Sequence, residues 1–428
     1  MGESRANDAA REVVVVGAGA AGLWVAQGAA QGGRDVLVLE KTPRAGTKVL
    51  ASGGTRCNLT TSLPVEDALR LYGPRGERFL RRALRTLSPW DVRERFAEWG
   101  VPSEEHPLDK VFPRSGRARD VRDALRGAAL GAGAELRTNA PVRALARAGS
   151  HWELRLESDE SVLAREVVLC AGGKSYPKTG CTGDGYAWLR ALDLKLVRPV
   201  PALVPLTSPA AWVRELTGLD LQEVELRLTD VDGRKAGRRR RPVVFTHHGL
   251  SGPGAMDLAE PVAREEDLAR EEGRAVRPLR LELDLLPDHD WEELRAALIE
   301  GVRRPGNPQL ARIVPGGLPR RLARASLVQA GLEPEARCAS LGKSARHAWI
   351  QALKALVVPV DGTLGYDKAE LTAGGLDLRA VDPGSMAVRS HPGLFVCGEL
   401  LDVQGPIGGL SFQAAFSTAE LAARALAR

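Results

Sequence analysis

Residues 13 to 40 constrain the fold of this 428-residue chain more than any other segment. They open with four valines, Val13 to Val16, an apolar run without helical period that is typical of a buried parallel strand. Gly17, Gly19 and Gly22 follow at the GxGxxG spacing. In that pattern the glycines allow a tight turn, close approach of a ligand to the backbone and close packing of the next helix. The pattern predicts the first βα unit of a parallel α/β sheet.

The segment continues with a helix and a second strand. The helix is predicted over Leu23 to Ala30, and its N-terminus would offer free N–H groups and a positive dipole end to a pyrophosphate. The strand, Asp35 to Leu39, ends in Glu40, an acid placed to accept a hydrogen bond from a ribose 2′-hydroxyl. Because a carboxylate disfavours a 2′-phosphate, we expect the bound nucleotide to be FAD or NAD rather than NADP.

Length and composition are typical of an enzyme with two or three domains. The chain is too long for one small core, and 44% of its residues are hydrophobic. Its five cysteines form no CxxC pair and no metal-ligand cluster, so neither a disulfide framework, a redox dithiol nor a metal site is predicted. The N-terminal apolar stretch is short and interrupted by glycines. We therefore expect no signal peptide, no membrane span and a cytoplasmic location.

The formal net charge of +6 raises nucleic acid as a partner. The excess is spread thinly, however, and only Arg238 to Arg241 form a block, at a predicted hairpin. No aromatic residues are interleaved with this block to stack on bases. We expect an exposed hairpin end there and nucleic acid to be an unlikely partner. A contact of the hairpin with RNA or a membrane is the alternative.

The order of predicted elements describes a discontinuous α/β domain. Strands alternate with helices through the first half, which predicts a parallel sheet, while the segment from Lys110 is predicted as a turn leading into a helix. From about residue 196 short alternating strands predict an antiparallel sheet or small barrel, followed by mostly helical sequence. The predicted domains are 1–195 (nucleotide domain, first part), 196–288 (barrel-like), 289–344 (helical insertion), 345–362 (return through the barrel) and 363–428 (nucleotide domain, C-terminal part).

A third glycine-rich region closes the chain. A short strand, Leu394 to Cys397, is followed by a turn at Gly398 and Glu399, and residues 405–409 open a helix that runs to the end. A helix N-terminus directed at the N1/C2=O edge of a flavin would stabilise the negative charge of the reduced ring. The region is thus a candidate flavin contact.

Four segments in this order carry a resemblance to a known family. They are GTKVLASGGTRCNLTT, CAGGKSYPKTGCTGDGY, FTHHGLSGPG and CGELLDVQGPIGGLSFQAAFSTA. Together they resemble the flavoprotein family that includes aminoacetone oxidase-like and NAD(P)H-dependent bile-acid (steroid enone) reductase-like proteins, over nearly the whole length. The resemblance implies an oxidoreductase with FAD bound across a discontinuous Rossmann-like domain, an inserted antiparallel β-barrel domain and a small helical domain that caps the flavin.

The resemblance also implies which residues hold the FAD. Those expected at the ADP half are Gly17, Gly19, Ala20, Ala21, Gly22 and Glu40, with Lys41, Thr47 and Lys48 beside the adenosine and pyrophosphate. Those expected along the ribityl chain and isoalloxazine are Ser52, Gly53, Gly54, Arg56, Cys57 and Asn58, with Val142 touching adenine through its backbone. Ala171, Gly172 and Gly173 would close over the nucleotide, and Gly398, Glu399, Asp402, Gly408, Gly409, Leu410 and Ser411 would complete the ribityl and pyrimidine contacts. The chain departs from the family at Thr55, where a third glycine is common, and at Ser411, where Asn is common.

The catalytic groups are less specified than the cofactor contacts. His247, beside turn glycines, is the candidate acid/base, with a structural or solvent-exposed histidine as the alternative. Lys48 and Arg56 would bind flavin phosphates rather than orient an anionic substrate. Cys57, which lacks a partner cysteine, is expected to be a packing residue rather than a reactive thiol. Tyr176 is a possible donor to a substrate carbonyl, but the spacing does not require it.

Two functions are compatible with these residues. In the first, the chain is an FAD-dependent oxidoreductase for a small molecule: either NADH or NADPH reduces the flavin and an enone-type substrate accepts the hydride, or a small amine gives the hydride and oxygen accepts the electrons. No second GxGxxG is present, so NAD(P)H would bind transiently as a co-substrate. In the second, the chain is a non-catalytic or sensing flavoprotein that contacts RNA or a protein through the Arg-rich hairpin.

Overall fold

The computed structural model describes residues 10–428, which divide into two compact units. Unit 1 comprises the chain through Pro201 together with Tyr366–Arg428, and unit 2 is Ala202–Gly365. The nucleotide domain was predicted to be interrupted by residues 196–362, and the interruption in the structure is 202–365. The finer division of the inserted part stays a prediction.

The first part of unit 1 alternates strands and helices. Its strands are β1 (Arg11–Val16), β2 (Val36–Leu39), β3 (Thr60–Thr61), β4 (Ser103–His106), β5 (Lys110–Pro113), β6 (Glu135–Arg137), β7 (Val142–Ala148), β8 (His151–Leu156), β9 (Ser161–Leu169) and β10 (Leu196–Ala202). Its helices are α1 (Ala20–Gln31), α2 (Thr47–Ala51), α3 (Val65–Arg70), α4 (Gly73–Thr86), α5 (Pro89–Glu98), α6 (Ala118–Gly131) and α7 (Asp184–Ala191). Short 3₁₀ helices lie at Ser52–Thr55 and Pro177–Thr179.

Unit 2 is built from short strands followed by helices. Its strands are β11 (Leu206–Thr207), β12 (Asp220–Leu221), β13 (Glu225–Thr229), β14 (Lys235–Arg240), β15 (Val243–Phe245), β16 (Gly249–Ser251), β17 (Leu279–Asp284), β18 (Leu356–Val360) and β19 (Gly362–Thr363). Its helices are α8 (Ala211–Glu215), α9 (Gly252–Met256), α10 (Ala259–Glu271), α11 (Trp291–Val302), α12 (Arg320–Gln329) and α13 (Lys343–Lys354), with 3₁₀ helices at Leu310–Arg312, Pro315–Gly317 and Cys338–Ser340. The chain then returns to unit 1 with β20 (Leu371–Leu376), β21 (Leu394–Val396) and α14 (Leu410–Leu426), and with 3₁₀ helices at Leu378–Ala380 and Gly398–Leu400.

A mixed sheet forms the centre of unit 1. Its order is β6-β2-β1-β9-β8-β7, and β21 also pairs with β9. The pairs β2–β6, β1–β2, β1–β9 and β9–β21 are parallel, whereas β7 and β8 are antiparallel to their neighbours. Val13 to Val16 are at most 4% exposed, as expected for a strand covered on both faces. The carboxyl ends of β1, β9 and β21 therefore lie side by side, and the loops that follow these three strands share one edge of the sheet.

Helices α1 and α14 pack against each other beside this sheet. The Trp24 ring lies 4.9 Å from the Phe416 ring, centroid to centroid, and its indole N–H donates to the Glu420 carboxylate over 2.9 Å. Helix α1 begins at Ala20 with Gly19 as its N-cap, three residues before the predicted start. The last helix of the chain is thus fixed against the first, and the turn that precedes it is held at the same edge.

The strands of unit 2 form two antiparallel sheets. One has the order β12-β15-β16-β11-β19 and the other the order β14-β13-β17-β18. Helices α11, α12 and α13 pack together, and the Trp349 indole N–H donates to the Ser326 hydroxyl over 3.0 Å in the buried space between α12 and α13. A capping box at Asp290 and Glu293 fixes the start of α11. Within residues 10–428, no helix is both long and apolar enough to cross a membrane.

Candidate functional site

The glycines of the fingerprint are packed to different degrees. A Cβ built on Gly22 would lie 1.9 Å from the carbonyl oxygen of Gly17, and one on Gly17 would lie 2.6 Å from the carbonyl oxygen of Cys170. A Cβ on Gly19 meets no atom within 4 Å. The first and third glycines are therefore required by the packing of the chain, while the second leaves open space in front of the backbone.

This open space lies at the N-terminus of α1. The helix has 12 residues, and its N-cap residue Gly19 supplies no side-chain hydrogen bond. The first-turn N–H groups of an α-helix have no acceptor within the helix, so here they are available to an anion. An open approach to uncapped N–H groups fits the pyrophosphate of a dinucleotide.

Glu40 is held at the end of β2. One carboxylate oxygen accepts the Ala18 N–H over 2.9 Å, and the other accepts the N–H and hydroxyl of Thr42 over 2.8 and 2.7 Å. Each carboxylate oxygen has two acceptor sites, so a ribose hydroxyl can be added to these bonds. The structure thus places Glu40 beside the turn of the fingerprint, where the ribose interaction was predicted.

The loop after α2 has an unusual backbone. Gly53, Gly54, Thr55 and Cys57 have φ values of +55°, +63°, +70° and +61°. Left-handed φ values favour glycine, so the family preference for glycine at position 55 has a conformational cause, and Thr55 occupies that position under strain. Burial raises the pKa of the Cys57 thiol to about 12, which agrees with the packing role expected for it.

A partly buried ion pair joins helix α2, which precedes this loop, to the C-terminal segment. The Lys48 ammonium lies 2.5 Å from the Glu399 carboxylate and 2.6 Å from the Ser175 hydroxyl. The second oxygen of Glu399 accepts the Ser175 hydroxyl over 2.7 Å and the Thr372 N–H over 2.8 Å. Although burial opposes the charge of Lys48, Glu399 raises the pKa of Lys48. Lys48 therefore stays cationic, and the pair fixes the relative position of three loops.

Other close approaches bring the remaining predicted segments together. A Cβ on Gly398 would lie 3.2 Å from the Ala21 side chain, and one on Gly173 would lie 2.7 Å from Glu399. A Cβ on Gly409 would lie 2.0 Å from the carbonyl oxygen of Thr60. The fingerprint, the turn after β9 and both parts of the C-terminal segment are thus assembled at one edge of the sheet in unit 1.

The N-terminus of α14 adds a second uncapped helix end. Its N-cap is Gly409, which supplies no side-chain hydrogen bond, and the Tyr72 hydroxyl donates to the carbonyl of Leu410 over 2.7 Å. A Cβ on Gly408 would approach only the carbonyl of Leu108, at 3.7 Å. Ser411, in the first turn, is exposed. This helix end is open in the way that an interaction with the pyrimidine edge of a flavin requires.

Several predicted cofactor residues have protein partners instead. Lys41 pairs with Asp184 at 2.5 Å, the Thr47 hydroxyl donates to the carbonyl of Arg44 over 2.8 Å, and Asp402 lies 3.5 Å from Arg75. The remaining predicted residues have structural neighbours that explain their positions. Ser52 caps the carbonyl of Val49, Asn58 accepts the Val111 N–H, Val142 begins β7, and Ala171 and Gly172 follow β9 directly. Their contacts with FAD stay predictions.

The predicted acid/base, His247, is assigned to a different unit of the chain. It lies in unit 2, between β15 and β16, and its side chain is exposed. Its role as an acid/base stays a prediction without a structural partner among the described residues.

One histidine in unit 1 was not among the predicted site residues. His106, at the end of β4, lies edge-on to Phe112 on β5 at 5.1 Å, and its Nε2 lies 3.0 Å from Glu104. The Arg56 guanidinium stacks on the same Phe112 ring at 4.5 Å. The segment Lys110–Pro113, predicted as a turn, is strand β5, and its short apolar pair Val111-Phe112 was the available signal. This hairpin thus carries an imidazole next to the glycine-rich loop.

The chain's own residues therefore fit an FAD. The open Gly19, the uncapped starts of α1 and α14 and the fixed Glu40 provide the anion and ribose contacts that such a cofactor needs. When bound, the flavin would accept or deliver a hydride, and the protein would orient it and exclude water.

Comparison with known proteins identifies relatives over the whole length. The model of the family described as "HI0933-like protein Rossmann domain" matches residues 11–425. The ribosomal RNA dihydrouridine synthase of Escherichia coli is 30% identical over 95% of this chain and 96% of its own. The 3-dehydro-bile acid delta(4,6)-reductase of Clostridium scindens is 27% identical over 96% of this chain and 98% of its own.

A solved structure shares the fold. The 3-ketosteroid-delta4-(5alpha)-dehydrogenase of Rhodococcus jostii RHA1 superposes with a TM-score of 0.53 at 16% identity, over 100% of this chain and 99% of its own. The comparisons confirm the predicted flavoprotein family, the α/β fold class, FAD as the cofactor and an oxidoreductase. The expectation that nucleic acid is an unlikely partner is not supported, because one whole-length relative is named for a reaction on ribosomal RNA.

Proposed function

The chain belongs to the HI0933-like Rossmann family, and from this premise we propose that it reduces a uridine of RNA to dihydrouridine. NADH or NADPH is the proposed electron donor, and ribosomal RNA is the proposed substrate. The observation that carries this proposal is the 30% identity to the E. coli synthase over 95% of this chain.

The names of the two curated relatives describe related chemistry. A uracil ring has a C5=C6 double bond conjugated to the C4 carbonyl, and a 3-keto steroid with ring unsaturation has the same conjugated unit. Reduction adds a hydride to the carbon distant from the carbonyl and a proton to the carbon next to it. NAD(P)H supplies the two electrons and becomes NAD(P)⁺, so the reaction balances with one proton from solvent or a side chain. The enone-type substrate expected from the sequence includes both cases.

The residues of unit 1 would orient this reaction. The Lys48–Glu399 pair holds the loop after α2 and the turn after β21 in fixed positions. The start of α14 would stabilise negative charge at the pyrimidine edge of a reduced flavin. Both contributions are electrostatic and preorganised, which is the main way a protein accelerates hydride transfer.

Charge supports an RNA substrate over a small one. The chain carries a formal net charge of +6, and residues 302–350 alone hold nine Lys and Arg against two acids. Such an excess of positive charge strengthens the binding of a polyanionic substrate, whereas it does not strengthen the binding of a steroid-sized enone.

Reduction of a steroid-type enone is the second candidate function. The 27% identity to the bile-acid reductase over 96% of this chain favours it. The two candidates differ in the substrate that reoxidises the reduced flavin, so they are separable in one assay.

The test uses the purified yellow protein under anaerobic conditions. NADH or NADPH should bleach the flavin, and ribosomal RNA from cells that lack the gene should restore its colour and gain two hydrogens in one nucleoside by mass spectrometry. Gly19→Trp is the control, because the indole would fill the open space at the start of α1 and prevent FAD binding. Colour restored by 3-keto-Δ4 steroids and not by RNA would select the second candidate and refute the first.

A further inference from the structure

We infer that the helical part of unit 2 binds the phosphate backbone of RNA through a group of unpaired basic side chains. This group, the basic segment, comprises residues 302–346, from the end of α11 to the start of α13. The inference rests on the proposed RNA substrate and assigns the surface that holds it.

The net positive charge of the basic segment exceeds the net charge of the whole chain. It contains nine Lys and Arg and two acidic residues, Glu333 and Glu335, while the chain has a net charge of +6. The rest of the protein is therefore slightly acidic. The formal excess of positive charge is therefore accounted for by one stretch of 45 residues, and the expectation that it is spread thinly over the chain was wrong.

Most of these charges form no ion pair within the described residues 10–428, although Arg320 also acts electrostatically on the Glu335 carboxylate. Arg303, Arg304, Arg312, Arg320 and Lys343 are exposed, and none forms an ion pair with another residue in the described range 10–428. Arg324 is the exception, since it pairs with Glu335. Exposed guanidinium groups without carboxylate partners are free to bind phosphates, often with two parallel hydrogen bonds.

The charges stand on a packed scaffold rather than on a loose loop. The Leu310 N–H donates to the carbonyl of Ala336 over 2.9 Å, and the Cys338 N–H donates to the carbonyl of Pro308 over 2.9 Å. Cys338, Leu310, Leu322 and Leu327 are at most 2% exposed. These bonds hold the stretch that carries Arg304 and Arg312 next to the stretch that carries Arg337 and Lys343.

The arginines of the hairpin in unit 2 differ from those of the basic segment because they form ion pairs with carboxylates. Arg238 lies 2.5 Å from Glu225, Arg240 lies 2.5 Å from Asp288, and Arg241 lies 3.0 Å from Asp257. Arg239 is also near Asp257, at 3.7 Å. The four arginines of the block thus all have carboxylate partners within the fold, with Asp257 shared by Arg239 and Arg241. This contrast favours the basic segment over the hairpin as the phosphate-binding surface, although the hairpin is the densest basic block in the sequence.

The composition of the basic segment indicates how it reads RNA. It contains no Phe, Tyr, Trp or His, so it has no ring on which an unpaired base can stack. Phosphate contacts position a nucleic acid without specifying its sequence. The ligand that fits is the backbone of a folded or double-stranded region, with the reacting uridine recognised elsewhere.

The experiment compares two variants that lose the same number of charges. The first carries Arg304→Gln, Arg312→Gln and Arg320→Gln in the basic segment, and the control carries Arg238→Gln, Arg239→Gln and Arg240→Gln in the hairpin. The probe is a fluorescein-labelled RNA stem-loop with a uridine-rich loop, titrated at several salt concentrations. The flavin spectrum, the melting temperature and NADPH-driven bleaching verify that each variant is folded and loaded with FAD.

The first variant is expected to bind the RNA roughly 10- to 100-fold more weakly, with the slope of log K against log salt reduced by about 2. The control should stay within about threefold of the wild type, because its charges are already balanced by nearby carboxylates. Equal losses in the two variants would refute the inference, since net charge alone would then govern binding. A larger loss in the hairpin control would refute it as well.

Two further outcomes separate this inference from the proposed function. If the first variant binds RNA normally while the wild type forms dihydrouridine, the basic segment is excluded and the function stands. If the wild type binds no RNA and forms no dihydrouridine, the RNA substrate itself is refuted. Binding of phosphatidylglycerol vesicles that is as tight as RNA binding and lost in the same variant would assign the surface to a membrane and overturn the inference.

Discussion

Unit 2 contains two regions that are both rich in arginine. They differ in how many of their positive charges are paired with carboxylates in the folded protein. The hairpin places Arg238 to Arg241 consecutively, whereas the basic segment distributes its nine basic residues over 45 positions. In the structure the hairpin arginines pair with Glu223 and Glu225, at and beside the facing strand β13, and with Asp257 and Asp288 from other parts of unit 2. The density of charge in a sequence therefore says little about the charge at the surface, because carboxylates pair with all the arginines of the hairpin and with few of those in the basic segment.

Among the substitutions that test this comparison, Asp257→Asn is expected to have the largest effect on the free energy of unfolding. The Asp257 side chain is completely buried and holds Arg241, whose side chain is 15% exposed. Removing the carboxylate leaves a largely buried cation without its partner, which should lower the free energy of unfolding by about 2 kcal/mol. Urea denaturation of the whole protein measures this change in the free energy of unfolding.

The matched control for this variant is Asp232→Asn. Asp232 and Arg234 are both exposed and 3.5 Å apart, so their separation should change stability by less than about 0.5 kcal/mol. If both variants had the same small effect, the hairpin arginines would not be held by buried pairing, and the contrast with the basic segment would lose its basis.

A smaller effect is expected at a third arginine group, on Glu265 in α10. Hydrogen bonds from Arg274 lower the pKa of Glu265 to about 2, against the opposing effect of burial. Because the pKa is lower in the folded state than in the unfolded one, the stabilisation is complete above about pH 5 and is lost as the pH falls toward 2. Melting temperatures should therefore fall more steeply with acid in the wild type than in Glu265→Gln, by roughly 2 to 4 °C. If the melting temperatures of the wild type and of Glu265→Gln fell equally with pH, the Arg274–Glu265 pair would contribute nothing to acid unfolding.

The smallest effect is expected at Thr55, which belongs to unit 1. Its φ of +70° is costly for a β-branched residue, so Thr55→Gly should raise the free energy of unfolding by about 1 kcal/mol after the added entropy of glycine in the unfolded state is included. RNA affinity should not change. A shift in RNA affinity here would mean that binding responds to any loop substitution, which would weaken the charge comparison.

The nucleotide-binding part of the fold could be predicted from local patterns. The valine run, the GxGxxG spacing and Glu40 each depend on interactions within about 30 residues, and the structure places them as predicted around β1, α1 and β2. The small sheet with His106 and Phe112 was not predicted, because β3, β4 and β5 are strands of only two to four residues and β3 pairs with β5 across the intervening helices α3 to α5. His247 was predicted in the inserted domain and lies in unit 2, and its contact with a flavin stays a prediction.

The sequence by itself determined the family, the cofactor and the glycines that the phosphate turn requires, because those features depend on short-range geometry and on residue types that have no substitute. The tertiary structure alone decided which charges stay unpaired and how Lys48, Ser175, Thr372 and Glu399 meet. These residues are up to 351 positions apart in the chain. Coulombic and hydrogen-bond energies depend on distance in space and on burial, and only the folded chain fixes both.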